Sequence, residues 1–220
     1  MHDPAKIDKP LIRVIDDDDA MRNSWAFLIE GEGWDVKTYA DAITFLSSND
    51  YIRPGCLLLD VRMPHMSGLE LQLKLREAGC DLPIIFISGH GDIDMAVKTM
   101  KDGADDFLSK PVTPERLLDA IEKAVKRDAR IRTESAALEQ ARAAFRRLSA
   151  REQEVAMGVA RGLLNKQIAY ELNISEKTVI AHRSSLCKKL GARTAADITR
   201  MLMTIDPDAI TGAPAPADGE

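Results

Sequence analysis

Long apolar runs are absent. No stretch of the 220 residues approaches the roughly 18–20 consecutive apolar residues that a membrane span needs. The opening segment, MHDPAKIDKP, lacks an apolar signal-peptide core, so a cytoplasmic protein without membrane contact is expected. Cysteine is scarce. Cys56, Cys80 and Cys187 are odd in number and far apart, which supports neither a disulfide framework nor a zinc site. Cys56, inside the run CLLLD, reads as a small core residue. The four histidines (His2, His65, His90 and His182) have no metal-ligand spacing, and no internal repeat is present.

What is present is an ordinary globular composition, 45% hydrophobic and 30% charged. The length suits one large domain or two small ones. The net charge of −5 hides an asymmetry. Residues 1–126 hold 15 basic and 23 acidic side chains; residues 127–204 hold 15 and 8. The last sixteen residues, 205–220, carry four acidic side chains and no basic one. A basic C-terminal half points weakly to a polyanionic partner.

The first half alternates apolar runs with amphipathic stretches. The runs are LIRVI (11–15), DVKTY (35–39), CLLLD (56–60), PIIFIS (83–88) and DDFLSK (105–110). Helical patterns lie between them, near 20–30, 42–48, 68–78, 93–101 and 115–127. Trp25, Leu28 and Ile29 give the first an inward face. Asp41, Ser67 and Thr113 are candidate N-caps, the last followed by Pro114 at the first helical position. Five strands alternating with five helices predict a doubly wound, five-stranded parallel α/β sheet covered on both faces.

In that architecture ligands gather at the carboxyl ends of the strands. Asp16 and Asp17 end the first strand, Asp60 the third, Ser88 the fourth and Lys110 the fifth. Each alone reads most simply as a capping or solvated residue; their convergence on one edge does not. Mg²⁺ prefers oxygen ligands and suits two or three carboxylates with a backbone carbonyl. Asp60 can attack a phosphoryl group while the metal and Lys110 neutralise its oxygens and Ser88 donates a hydrogen bond.

The segments IDDDDAMR, LLLDVRMPHMSGLEL and IIFISGHGDIDMAVKTMKDGADDFLSKPVT resemble the CheY-like receiver domain of two-component response regulators, over about residues 10–127. The resemblance implies Asp60 as phosphoacceptor for a cognate sensor histidine kinase. It makes Asp16 and Asp17 the metal pair and the Arg62 backbone carbonyl a further Mg²⁺ contact. Ser88 and Lys110 match the phosphoryl-gripping positions. Phe107 matches an aromatic switch position where tyrosine is commoner. Arg62 and His90 match positions flanking the hydrolytic water and are expected to tune dephosphorylation; His65 is expected in solvent. Within IDDDDA, Asp17 is expected to contact the metal directly and Asp16 through water. Asp18 is expected to be solvated and Asp19 to cap the following helix.

The basic half, 146–202, reads as four helices. Ser149 and Glu152 form a capping box and Gly162 ends the first helix. NKQIAYEL (165–172) is a short helix, NIS a tight turn, and Ser175 caps a basic helix that Gly191 stops. Thr194 with Asp197 caps the last. Two helices joined by a short turn fit a helix-turn-helix; a basic bundle without a nucleic-acid role is the plainer alternative. Val179, Leu186 and Leu190 should be core. Lys177, Ile180, Ala181, Ser184, Ser185 and Lys188 fall largely outside that stripe and form the expected groove surface.

This half also resembles the LuxR-type helix-turn-helix, in the arrangement of the NarL/FixJ class. The carrying residues are Leu148, Ser149, Arg151, Glu152, Glu154, Val155, Asn165, Lys166, Ile168, Ala169, Leu172, Ser175, Thr178, Val179, His182, Lys189 and Leu190. The resemblance implies DNA-backbone contacts from Lys166, Thr178, His182 and Arg183, and base contacts from Ile180, Ala181 and Ser184. Many relatives carry a charged residue where Ile180 stands, so Ile180 suits a thymine methyl rather than guanine.

The expected organisation is a receiver over 8–127, a helical linker over 128–144, an all-α four-helix DNA-binding domain over 145–204 and a disordered tail over 205–220. Leu117, Ala124, Ile131, Leu138 and Phe145 recur every seven residues, as a linker helix or as a short dimer seam. The expected function is transcriptional regulation: phosphorylation of Asp60, dimerisation, then binding of double-stranded promoter DNA, with RNA polymerase as a further partner. Catalysis is expected only on the receiver's own phosphate. The alternatives are a phosphate-independent DNA-binding regulator and an aspartyl-phosphate phosphatase.

Overall fold

The structure is a computed structural model that describes residues 9–89 and 93–206. The chain divides into two compact units between Arg132 and Thr133.

The first unit alternates strands and helices: β1 (Leu11–Ile15), α1 (Asp19–Gly31), β2 (Asp35–Tyr39), α2 (Ala42–Ser48), β3 (Gly55–Asp60), α3 (Gly68–Glu77), β4 (Ile84–Ser88), α4 (Ile93–Lys101), β5 (Asp106–Ser109) and the start of α5 (Pro114–Arg146). The five strands are parallel in the order β2-β1-β3-β4-β5, so the sheet is doubly wound as expected. Alternation along the strands explains the two covered faces. Leu57, Leu59, Ile84 and Phe86 pack with Phe45, Leu71 and Leu75 of α2 and α3. Cys56, Leu58, Ile85 and Ile87 pack with Trp25 and Ile29 of α1 and with Leu117, Ile121 and Ala124 of α5.

The second unit carries the end of α5 and then α6 (Ala150–Ala160), α7 (Asn165–Leu172), α8 (Glu176–Leu190) and α9 (Ala195–Ile205). Val155, Val159, Ile168, Val179, Leu186, Ile198 and Leu202 form its core. Ser149, Ser175 and Thr194 cap their helices, and Gly191 stops α8 in the left-handed region at φ 65°. Gly158 is where α6 and α7 touch, since a Cβ there would lie 2.8 Å from Ile168.

Three expectations change. Asp18, not Asp19, is the N-cap of α1: its side chain accepts from the amides of Ala20 and Met21. Asp19 stands one residue too late to reach those amides and instead pairs with Arg22. The receiver's end at residue 127 falls inside α5. Asp128 is buried, accepts from the Gly55 amide at 2.9 Å and pairs with Arg132, which reaches the Ile52 carbonyl at 3.0 Å. Ile205 closes α9 and packs on the core, so an ordered residue stands where the tail was expected to start. Residues 207–220, the rest of that tail, lie outside the described residues, as does His90.

The seven-residue stripe is used at both ends. Leu117 and Ala124 are buried in the first unit, and Phe145 packs on the core of the second. Ile131 and Leu138 lie between them and are half-buried.

Candidate functional site

Register brings the acidic edge together. Ile15 pairs with Leu59, Asp60 with Ile87, and Ser88 with Ser109, so four strands end level. The crevice between β1 and β3 is where the strand order reverses. Asp16 (4% exposed), Asp60 (8%) and Ser88 (2%) are buried there, and Asp17 is exposed beside them. Lys110 follows β5 and donates to Asp60 Oδ1 at 2.8 Å and to Asp16 Oδ2 at 3.0 Å. Its own amide donates to the Ser88 carbonyl at 2.8 Å, which sets the lysine's origin beside the serine. The peptide joining it to Pro111 is cis.

Both carboxylates are oriented by the turns that follow them. Asp60 Oδ2 accepts from the Arg62 amide at 2.7 Å, and Asp16 Oδ1 from the Asp18 amide at 2.9 Å. Burial pushes the Asp60 carboxyl above the usual carboxylate range, and the hydrogen bonds from Lys110 and the Arg62 amide pull it back only in part. For Lys110 burial acts downward, but its bonds to Asp60 and Asp16 outweigh it and hold the ammonium above its ordinary value. One ammonium thus serves two buried carboxylates, with the exposed Asp17 next to them in sequence, leaving an edge with excess negative charge. Among the described residues no cluster of three or more His, Cys, Asp or Glu side chains is arranged to hold a metal ion. Mg²⁺ does not require one. It binds through one or two carboxylates and keeps waters, so an all-oxygen edge with excess negative charge fits it.

Phe107 is half-buried, its ring centroid 6.5 Å from that of Phe86. It borders a shallow pocket with Ala96, Val97, Met100, Lys101 and Asp106. The Arg62 and His65 side chains are exposed. Two contributors escaped the sequence reading. Arg22 of α1 donates to the Asp16 carbonyl at 2.6 Å and pairs with Asp19. Gly68 sits where a Cβ would lie 2.3 Å from the Asp60 carbonyl oxygen; its amide bonds the Val61 carbonyl. The only signals were an arginine three residues after an aspartate and a glycine at a helix start.

In the second unit, Lys166, Lys177, Ile180 (55% exposed), Ala181, Ser184 and Lys188 are all exposed, five of them on α8. Thr178, His182 and Arg183 are half-buried. Arg183, expected at the DNA backbone, donates to Asn165 Oδ1 of α7 at 2.6 Å. Ser185, expected on the groove surface, is half-buried and donates to Glu152 at 2.6 Å. Glu152, read from sequence as a capping residue and as one of those carrying the LuxR-type resemblance, is itself buried.

A sheet whose carboxyl edge holds a lysine-bridged aspartate pair, on one chain with an exposed basic helix-turn-helix, defines a two-domain signalling regulator. The comparisons carry this to a family. Residues 12–122 match the family described as response regulator receiver domain, and residues 146–202 match the bacterial regulatory proteins of the luxR family. The response regulator protein TmoT of Ectopseudomonas mendocina is 45% identical over 191 residues, covering 87% of each chain. The transcriptional regulatory protein FixJ of Rhizobium meliloti (strain 1021) is 38% identical over 192 residues, covering 87% of this chain and 94% of that one. A low-resolution structure of the response regulator StyR superimposes with a TM-score of 0.81 at 42% identity, covering 89% of this chain and 98% of that one. Full-length FixJ from B. japonicum gives 0.57 at 38% identity, covering 90% and 97%. The chain therefore belongs to the FixJ-like response regulators, with a receiver domain and a LuxR-type DNA-binding domain. Receivers generally use Mg²⁺ at the phosphorylation site. Among the described residues no helix is long and apolar enough to cross a membrane.

Proposed function

We propose that the chain is a cytoplasmic, phosphorylation-controlled regulator that binds promoter DNA. Asp60 accepts a phosphoryl group from a sensor histidine kinase. The observation that carries this is the Lys110 bridge: one ammonium within hydrogen-bond distance of Asp60 and Asp16 at the switch point of the sheet. In the transfer, an Asp60 carboxylate oxygen bonds to phosphorus while the bond from phosphorus to the kinase imidazole breaks. The imidazole nitrogen keeps the electron pair and takes up a proton. Lys110 then trades its contact with the carboxylate for the new phosphoryl oxygens, and Ser88 donates to one of them. Asp17, Asp60 and the Arg62 carbonyl would hold Mg²⁺, with Asp16 acting through water, and the bound ion would supply further neutralisation of phosphoryl charge.

Phosphate acts as a ligand that favours one of two receiver states, with Ser88 and Phe107 drawn inward in that state. The favoured state dimerises, and two helix-turn-helix units bind two half-sites of a promoter, where RNA polymerase is the further partner. Arg62 and His90 set the lifetime of the phosphate. The only chemistry the chain performs is on its own aspartyl phosphate.

The test combines intact mass, sedimentation and DNA retention on the full chain, with a small phosphodonor and Mg²⁺. The wild-type chain gains one phosphoryl group, dimerises and binds its DNA more tightly; Asp60→Asn does none of these. Equal DNA binding by both, with and without donor, would instead establish a phosphate-independent regulator.

A further inference from the structure

Helix α8 is gripped by polar contacts on both sides of its apolar stripe. Successive residues of an α-helix are about 100° apart. On that wheel Val179, Leu186 and Leu190 form the stripe that enters the core. Ser185 and Lys189 flank it on one side and Arg183 on the other. Lys177, Ile180, Ala181, Ser184 and Lys188 share the remaining, exposed arc.

The flank formed by Ser185 and Lys189 meets one group. Glu152 of α6 is 4% exposed. Its Oε1 accepts from the Ser185 hydroxyl at 2.6 Å, and its Oε2 accepts from Lys189 Nζ at 2.7 Å and from the Ser149 amide at 2.7 Å. A capping box needs only the last of these. The opposite flank is held by the bond from Arg183 to Asn165.

Apolar packing is non-directional. It fixes how deep α8 sits but resists rotation about the helix axis weakly. A side-chain tip about 5–6 Å from the axis moves roughly 2 Å when the helix turns by about 20°. That displacement breaks a hydrogen bond to a base edge. Two anchors four residues apart, on one buried carboxylate, remove this freedom. Buried ion pairs add little net stability over an apolar replacement, and their best-attested use is to fix register.

We propose that Glu152 is a positioning residue for sequence readout: through Ser185 and Lys189 it fixes the rotation of α8 and so aims Ile180, Ala181 and Ser184 at the groove floor. This rests on the reading of α8 as the recognition helix. Loss of the anchor leaves phosphate contacts largely intact, because these tolerate small rotations, and removes base discrimination.

The test uses the phosphorylated full-length chain and two probes: a duplex enriched by that chain from a random-sequence library, and an unselected random duplex of equal length. Absence of any enrichment by the wild type overturns the reading of α8 and this proposal together. Given enrichment, the informative variants are Glu152→Gln, Ser185→Ala and Lys189→Met. Each is expected to weaken binding to the enriched duplex by about tenfold or more. Binding to the random duplex stays within about twofold, with its salt dependence unchanged. Ser149→Ala, which removes the cap but spares the anchors, keeps the ratio of the two affinities. A parallel fall on both duplexes overturns the proposal alone, because Glu152 then only supports folding and Lys189 only touches phosphate. An unchanged ratio in all three variants overturns it equally. Should Glu152→Gln not fold, Ser185→Ala and Lys189→Met, altered from the α8 side, decide the matter.

Discussion

Lys110 holds its ammonium 2.8 Å from Asp60 and 3.0 Å from Asp16, so a single cation serves two buried carboxylates from different strands. The lysine is both a stand-in for the charge a divalent cation brings and a competitor for it. Lys110→Ala should therefore raise Mg²⁺ affinity, measured by calorimetry. The same change should slow phosphorylation of Asp60 by about 10²–10³-fold, the usual cost of losing one preorganised contact to a developing oxyanion. Opposite signs in the two measurements separate this from general damage to the receiver.

Asp17 and Asp18 are neighbours with separate tasks. Asp17 is exposed at the edge, and Asp18 accepts from the Ala20 amide at 2.8 Å and the Met21 amide at 3.2 Å. Asp17→Ala should weaken Mg²⁺ binding and phosphorylation with little change in stability. Asp18→Ala should destabilise the receiver by about 1 kcal/mol, the usual loss of an N-cap, and leave Mg²⁺ affinity nearly unchanged. Urea denaturation and Mg²⁺ titration on the same two variants check both statements. Equal losses of Mg²⁺ affinity would make the run an undivided acidic patch.

The hydrogen bond from Lys189, reinforced by Ser185 and the Ser149 amide, holds the Glu152 carboxyl down at about 2 against a reference of 4.5. A carboxylate with a depressed folded-state value binds fewer protons when folded than when unfolded. Its contribution is present above the reference value and is lost as pH falls toward about 2. Helical circular dichroism of the wild type should therefore show a steeper loss of second-unit stability between those limits than Glu152→Gln does. Parallel acid profiles would remove Glu152 from the balance.

Asp128 accepts from the buried Gly55 amide and pairs with Arg132. Asp128→Ala leaves that amide without its acceptor, which costs about 1–3 kcal/mol. The loss should fall on the first unit's denaturation transition and spare the second. Gly55→Ala should be worse: at φ 138°, a Cβ would lie 1.9 Å from the Leu11 carbonyl oxygen.

These residues also mark how far the sequence could be read. Short apolar runs and the 3.6-residue pattern located the strands and helices of the described residues, because a sheet covered on both faces makes its central strands apolar throughout and a helix buries one stripe. Asp16, Asp60, Ser88 and Lys110 were legible because each ends or follows an apolar run, and a parallel sheet brings such ends together. Tertiary polar contacts leave no comparable trace. Asp128 and Gly55 are 73 residues apart, and Glu152 and Lys189 are 37 apart, with no spacing rule to join them. Arg13, inside the strand LIRVI, is fully buried, its guanidinium donating to the carbonyls of Leu11, Asp50 and Arg53. Nothing local to the strand announces those acceptors. The choice between Asp18 and Asp19 as cap turned on a single residue of helix register, finer than a run of like residues can reveal.

The exposed arc of α8 mixes two chemistries that salt can separate. Lys177 and Lys188 are exposed cations, and Lys166 is a third on α7. Replacing any one that contacts phosphate with alanine should weaken binding to every duplex and reduce the slope of log affinity against log salt by about 1. Ile180 carries no charge and is 55% exposed, an arrangement that costs apolar hydration unless a partner covers it. A thymine methyl is the partner the major groove offers. Ile180→Ala should leave the salt slope unchanged and relax preference at one base-pair position, with a cost of about 1–3 kcal/mol confined to sequences carrying that thymine. Selection from a random library by wild type and variant reads this directly. A lost thymine preference at a single column, with all other columns preserved, is the expected result, and an altered salt slope would place Ile180 away from the base edges.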